Sequence, residues 1–182
     1  MAANAIRIIG GQWRGRRLRF PAVPALRPTP DRIRETLFNW LGQDLTGCTT
    51  LDPFAGSGAL SLEALSRGAT LAVAVDRERA LVRALVANAE KLGTQALETH
   101  CCEAQTFLAR DARRYDVIFL DPPFAADLWA QLLPAAAARL ATGGRLYVEA
   151  PAPIAAPPGL AIWRRDKAGQ VHYHLLRHAG GI

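Results

Sequence analysis

Residues 49–76, TTLDPFAGSGALSLEALSRGATLAVAVD, decide the fold. The segment opens with a short β-prone run, Thr49–Leu51, turns through a glycine-rich stretch, and continues as an apolar helix from about Ala59 to Ser66. It closes with LAVAVD (71–76), a second apolar strand. Strand, glycine turn, helix, strand is a βαβ unit, and that unit commits both of its strands to a parallel sheet.

The flanking chain repeats the pattern. A helix is expected over 77–92, ending before Gly93, then a strand at 97–101 and a short helix at 104–110. VIFLD (117–121) reads as a strand buried on both faces, followed by a helix over about 127–141 that stops at Gly143-Gly144. RLYVEA (145–150) is a further strand, and residues 160–178 read as two strands about a turn at Lys167–Gln170. The expected fold is therefore α/β, an open, mostly parallel, doubly wound sheet with an antiparallel C-terminal hairpin. Upstream, residues 6–20 read as a β-hairpin turning at Gly10-Gly11. A stiff linker follows (Pro21, Pro24, Pro28, Pro30), then a helix with Thr29 as N-cap, an apolar stripe of Ile33, Leu37, Trp40 and Leu41, and Gly42 at its end. The expected division is a basic arm over 1–27 and one domain over 28–182, the whole forming a single compact unit.

Composition narrows the class. With 182 residues, half apolar and 21% charged, the chain suits one domain with a proper core and excludes collagen, disordered and disulfide-scaffold classes. No apolar run approaches the roughly 18 residues of a membrane span, and no secretory signal pattern opens the chain. Cys48, Cys101 and Cys102 have neither metal spacing nor an even count, so a reducing, cytoplasmic setting is expected. His172, His174 and His178 have no carboxylate or cysteine at ligand spacing, so no metal site is expected.

The charge is lopsided. Residues 1–34 carry eight arginines (Arg7, Arg14, Arg16, Arg17, Arg19, Arg27, Arg32, Arg34) against Asp31 alone, while the remaining 148 residues hold 14 basic and 15 acidic side chains. The surplus positive charge thus lies in the first fifth of the chain, the footprint of a segment that contacts phosphates. Arginine forks match phosphate oxygens, and the interleaved Trp13 and Phe20 can stack on unpaired bases.

Two loops carry chemistry. Asp52-Pro53-Phe54-Ala55-Gly56-Ser57-Gly58 lies at the carboxyl end of a strand, where sheets of this kind bind ligands, and its glycines let a ligand approach the backbone. Asp76 ends the next strand, placed to accept hydrogen bonds from ribose hydroxyls. Ser61 stands where a dinucleotide fingerprint needs its third glycine, and the Asp52 carboxylate would repel a pyrophosphate. A cofactor with a ribose and positive charge but no phosphate, such as S-adenosyl-L-methionine, suits the loop better. The second loop, Asp121-Pro122-Pro123-Phe124, follows the buried strand directly. Its prolines lack backbone donors and leave carbonyl acceptors. The Asp121 carboxylate and the Pro122 carbonyl can accept the two hydrogens of an exocyclic amine and turn its lone pair toward an electrophile. Phe124 can stack on the base.

These motifs resemble those of the Asp/Asn-Pro-Pro-aromatic amino-methyltransferases. More narrowly the chain is similar to the RsmD family, bacterial methyltransferases acting on the N2 amine of a guanine in 16S ribosomal RNA. The similarity runs through RIIGGQWRGRRL (7–18), RPTPDRIRETLFNWL (27–41), LDPFAGSGALSLEALSRGA (51–69), VDRE (75–78), FLDPPF (119–124) and KAGQVHY (167–173). It implies a Rossmann-like class I S-adenosylmethionine-dependent methyltransferase fold, with the small (30S) ribosomal subunit or its assembly intermediate as partner, no membrane association, and a monomeric state. The implied cofactor set is Thr29, Asp52, Phe54, Ala55, Gly56, Ser57, Gly58, Asp76 and Arg77, with Glu103 and Ala104 flanking the adenine. Residues Asp121, Pro122, Pro123 and Phe124 would hold the guanine amine. Arg7, Arg14, Arg16, Arg17 and Arg19 would contact RNA, and the Arg27–Arg34 segment, with Arg32, would close over cofactor and substrate. Pro53 departs from the apolar or cysteine residue expected there, and Glu103 from the usual Asn or Asp. Read without the resemblance, the amine clamp also serves adenine or cytosine amino-methyltransferases, and the basic arm would suit a non-catalytic RNA-binding module.

Overall fold

The computed structural model describes residues 3–24, 26, 28–123 and 128–180. Seven strands form the main sheet in the order β5-β4-β3-β6-β7-β9-β8: β3 (Thr49–Asp52), β4 (Leu71–Asp76), β5 (Leu97–Cys101), β6 (Tyr115–Leu120), β7 (Leu140–Ala150), β8 (Leu160–Ala168) and β9 (Val171–His178). The run from β5 to β7 is parallel, while β9 pairs antiparallel with both β7 and β8. The sheet is thus mostly parallel with an antiparallel C-terminal hairpin, as the alternation predicts. The hairpin inserts β9 rather than β8 beside β7, leaving the polar β8 at the edge.

Helices α1 (Asp31–Leu41), α2 (Ala59–Ser66), α3 (Arg79–Leu92), α4 (Ala104–Arg110) and α5 (Trp129–Ala138) complete the fold. One core layer joins α1, α2 and α3 to the sheet through Leu37, Phe38, Leu62, Leu85, Val117 and Phe119; the other packs α4 and α5 on it through Leu108, Leu132, Ile118 and Leu146. The chain winds outward from β3 through β4 to β5, then returns to lay β6 on the other side of β3. That reversal falls between β3 and β6, and in sheets of this kind ligands bind beyond the carboxyl ends of the strands at such a point. Among the described residues no helix is long and apolar enough to cross a membrane.

The N-terminal hairpin, β1 (Ala3–Arg7) paired with β2 (Arg17–Pro21), forms its own small sheet. It does not turn at Gly10-Gly11. Instead the connection is long, closed by the Ile8 N–H on the Arg16 carbonyl (2.9 Å) and the Gly15 N–H on the Ile8 carbonyl (2.8 Å). Gly10 and Gly11 serve close approach. Gly11 has φ +73°, and a Cβ there would stand 1.9 Å from the Ser66 carbonyl oxygen at the end of α2. The hairpin is fastened to the body by Ile8 and Leu18 in the core and by Asn88 of α3, which accepts from Arg19 N–H (3.2 Å) and donates to the Arg19 carbonyl (2.9 Å).

Three further expectations are corrected. Pro30, not Thr29, caps α1, and no side chain caps that end; the Thr29 hydroxyl is engaged elsewhere. The buried face of α1 comprises Ile33, Arg34, Leu37 and Phe38, with Trp40 half-buried against the Tyr173 ring. Helix α5 ends at Ala138 rather than near 141, because the Arg139 carbonyl accepts the Tyr115 N–H (2.9 Å) and Leu140 already pairs with Tyr115 in the sheet.

Candidate active site

Each of the strands β3, β4, β6 and β7 carries an acid within one residue of its carboxyl end: Asp52, Asp76, Asp121 and Glu149. On neighbouring parallel strands, opposed residues share a face, and along one strand alternate residues do. The register Leu51 to Ile118 extends to Asp52 opposite Phe119, and Leu120 to Val148 extends to Asp121 opposite Glu149. Asp52, Asp121 and Glu149 therefore converge on the side of the sheet covered by α1 and α2.

The glycine loop is cinched to the end of β4. Asp76 accepts the Gly56 N–H on Oδ2 (2.9 Å) and the Glu78 N–H on Oδ1 (2.8 Å), and the Ala55 N–H donates to the Val75 carbonyl (2.9 Å). Each Asp76 oxygen keeps a second lone pair for a ligand hydroxyl. Gly58 caps α2 with φ +79°, and a Cβ there would stand 2.3 Å from the Leu85 side chain, so the tight entry into α2 requires glycine.

Asp52 is buried, with 2% of its surface exposed. Ser61 Oγ donates to its Oδ2 (3.0 Å), while its Oδ1 has no hydrogen-bond partner among the described residues. Burial pushes its pKa up to about 7, against the hydrogen bond from Ser61. The residue that breaks a dinucleotide fingerprint thus orients the carboxylate of this loop. A buried carboxylate with an idle oxygen and a raised proton affinity is a site short of one positive charge, which the ammonium of S-adenosyl-L-methionine fits.

Asp121 is partly buried, Pro122 buried and Pro123 exposed; Phe124 and Arg27 lie outside the described residues. Thr29 Oγ1 donates to Asp121 Oδ2 at 3.5 Å. Removal from water, then the negative Glu149 and Asp52, hold the Asp121 carboxyl well above the usual carboxylate range. Glu149 is 3% exposed, accepts the Tyr147 hydroxyl on Oε1 (2.8 Å), and is itself pushed up to about 7 by burial. Neither Glu149 nor Tyr147 was expected here from the sequence; the signal was the acid one residue before the end of RLYVEA.

The structure thus brings together Thr29, Asp52, the 54–58 loop, Asp76, Asp121 and Pro122. Arg77 stands further out, its exposed guanidinium near Glu103 (3.8 Å) and Glu78 (3.9 Å). Ala104 is buried at the start of α4 beside the exposed Glu103. The hairpin arginines Arg7, Arg14, Arg16, Arg17 and Arg19 are exposed, and so is Arg32 on α1.

Arg34 contradicts expectation. It is fully buried and cannot reach RNA. Its guanidinium pairs with Glu63 (3.2 Å) and Asp31 and donates to the Arg7 carbonyl (2.9 Å) and the Thr29 carbonyl (3.3 Å). Glu63, itself fully buried, also accepts the Ile9 N–H (2.9 Å), the Gly10 N–H (2.7 Å) and the Arg67 guanidinium (2.9 Å). This network ties the hairpin, α1 and α2 into one unit.

Sheet order, glycine loop and acid-tipped strands together define a Rossmann-like methyltransferase. The family described as Conserved hypothetical protein 95 matches residues 6–177, and the chain belongs to it, the RsmD family. The chain is 43% identical over 180 residues to ribosomal RNA small subunit methyltransferase D of Escherichia coli, covering 96% of this chain and 91% of that protein. A solved structure of the Escherichia coli methyltransferase yhhF matches with TM-score 0.87 and 41% identity, over 96% of this chain and 98% of that one. The crystal structure of a methylase from Haemophilus influenzae matches with TM-score 0.82 and 32% identity, over 96% and 99%.

Proposed function

We propose that the protein transfers a methyl group from S-adenosyl-L-methionine to the exocyclic N2 amine of a guanine in 16S ribosomal RNA, presented by the small ribosomal subunit or its assembly intermediate. The names of its relatives support an RNA substrate, and the exposed arginines of the hairpin supply the phosphate contacts. The observation that carries the reading is the meeting of Asp121 and Asp52 at the sheet's reversal, an amine acceptor beside a loop short of a cation.

When bound, S-adenosyl-L-methionine supplies an electrophilic methyl group on a sulfonium. Asp52 and the 54–58 loop would hold its amino-acid end and Asp76 its ribose. Asp121 and the Pro122 carbonyl would accept the two amine hydrogens, leaving the nitrogen lone pair directed across the site. As nitrogen gains the methyl group it sheds one proton, for which the ionised Asp121 is the nearest base; sulfur keeps the electron pair of the broken bond. Arg14 lines a cleft with Glu35, Asn39 and Gln43, along the part of α1 that leads away from Thr29. The RNA footprint would therefore run down the flank of the body, with the target base turned into the site. The protein would work as a monomer in the cytoplasm.

Calorimetry with S-adenosylhomocysteine and with NAD, together with mass mapping of nucleosides in 16S ribosomal RNA from cells lacking the protein, tests this reading. Binding of the first compound alone and loss of one N2-methylguanosine are expected. Binding of NAD alone, or an unchanged nucleoside map, would refute it.

A further inference from the structure

Glu149 has no part in the transfer as derived above, yet it stands next to Asp121 in the sheet. It stands opposite Asp121 on the adjacent parallel strand, one residue beyond the Leu120–Val148 pair, so both side chains leave the sheet on one face. The Thr29 hydroxyl, with a single hydrogen to give, is within reach of both carboxyls. Glu149 is further fixed by the Tyr147 hydroxyl, a donor that favours the anion (2.8 Å).

The groups around Glu149 are few. From β3 comes Asp52, from β6 Asp121, and from β7 Tyr147. From β9 comes Tyr173, opposite in register, whose hydroxyl is turned to Asp166 (2.9 Å). Among the described residues no basic side chain forms an ion pair with Asp121 or Glu149. Two neighbouring carboxylates in such a place do not both ionise readily, and their protons come off as properties of the pair.

We propose that Glu149 is a positioning residue for methyl transfer: it shares one proton with Asp121 and so decides when Asp121 is the anion that can grip the amine. With the proton on Glu149, both Asp121 oxygens accept hydrogens. With the proton on Asp121, one oxygen becomes a donor that opposes the amine, and the grip is lost. No proton is created or consumed in this exchange; it passes between two side chains, with Thr29 turning to the one left charged and Tyr147 donating to Glu149 when that is the anion. Both groups have a raised proton affinity, from burial first and, for Asp121, from the neighbouring Glu149 charge, as two acids sharing a proton require.

The inference rests on the amine-acceptor role given to Asp121, so its test needs a readout apart from turnover. That readout is the titration of the Asp121 carboxyl carbon, followed by NMR in the free protein. Glu149→Gln removes the neighbouring charge while keeping shape and a carbonyl acceptor for Tyr147. Tyr147→Phe removes the donor that holds Glu149 anionic and so sends the shared proton to Glu149. Both variants are expected to move the Asp121 titration to lower pH by about one unit, the coupling at which paired sites titrate together. The acid limb of the methyl-transfer profile should move with it. An Asp121 titration unmoved in both variants overturns the proposal whatever the rates. If that titration moves while wild-type protein transfers no methyl group to guanine, the pair stands and the guanine reading falls. Should Glu149→Gln fail to fold, Tyr147→Phe decides alone.

Discussion

Replacing Arg34 by methionine separates the structural role of that arginine from the RNA-contacting role its position in a basic segment suggests. The substitution keeps most of the side-chain length and removes the charge. Glu63 then loses its 3.2 Å partner at a place with no exposed surface, while the carbonyls of Arg7 and Thr29 lose their donor. Arg67 and two backbone N–H groups still serve Glu63, so the loss is partial. Removing one partner of a buried ion pair costs about 3–5 kcal/mol. For a chain of this size each kcal/mol lowers the melting temperature by roughly 2–4 °C, so a fall on the order of 10 °C is expected. Differential scanning calorimetry of Arg34→Met beside Arg32→Gln gives the contrast, since Arg32 is exposed on the same helix. Arg32→Gln should leave the melting temperature near wild type and weaken RNA binding. Arg34→Met should lower the melting temperature and leave the salt dependence of RNA binding as it was. A thermally normal Arg34→Met protein with a flattened salt slope would refute the buried network.

Two other outcomes are expected. Replacing Arg14, Arg16 and Arg17 by glutamine should weaken binding to small-subunit RNA and reduce the slope of log affinity against log salt by about 0.7–0.9 for each phosphate that is no longer neutralised; an unchanged slope in filter binding would clear the hairpin of that role. Asp52 titrates near 7 in the folded protein, above its ordinary range, so the stability it lends is full in acid and drains away as pH rises through 7. Stability of the ligand-free protein should therefore fall between about pH 4 and 8, while affinity for the cationic cofactor rises over the upper part of that range. Asp52→Asn should make both curves shallower in calorimetry, Glu149 and Asp121 keeping part of the stability slope, and curves as steep as wild type would contradict the charge assignment.

Much of the sheet was legible because its signals are local. The strands at 71–76 and 97–101 and the helices at 59–66 and 104–110 fall where apolar period and flanking glycines put them. Where sequence and structure part, the cause is shared: a residue's local preference yields to a distant partner. Gly10 and Gly11 look like a hairpin turn, but α2, more than fifty residues on, needs their bare backbone. Thr29 has the chemistry of a helix cap, yet its hydroxyl goes to Asp121, ninety-two residues away. Arg34 sits among arginines that face solvent, but it lies beside Ile33 and three residues before Leu37, within the apolar stripe, and that placement was the available sign of burial. In the site, the acids of β3, β4 and β6 were visible as strand-terminal charges. Glu149 carries the same mark, but no motif surrounds it to single it out.

In the proposed mechanism the Asp121 carboxylate holds the accepting amine while a separate set of residues holds the cofactor. Its most direct test is single-turnover methyl transfer by Asp121→Ala to unmethylated small subunits, made alongside the calorimetric affinity of the same protein for S-adenosylhomocysteine. Loss of transfer by several orders of magnitude is expected, with cofactor affinity within a few-fold of wild type, because an electrostatic interaction made in the transition state is gone. Transfer at the wild-type rate would contradict it, and so would an equal collapse of cofactor binding.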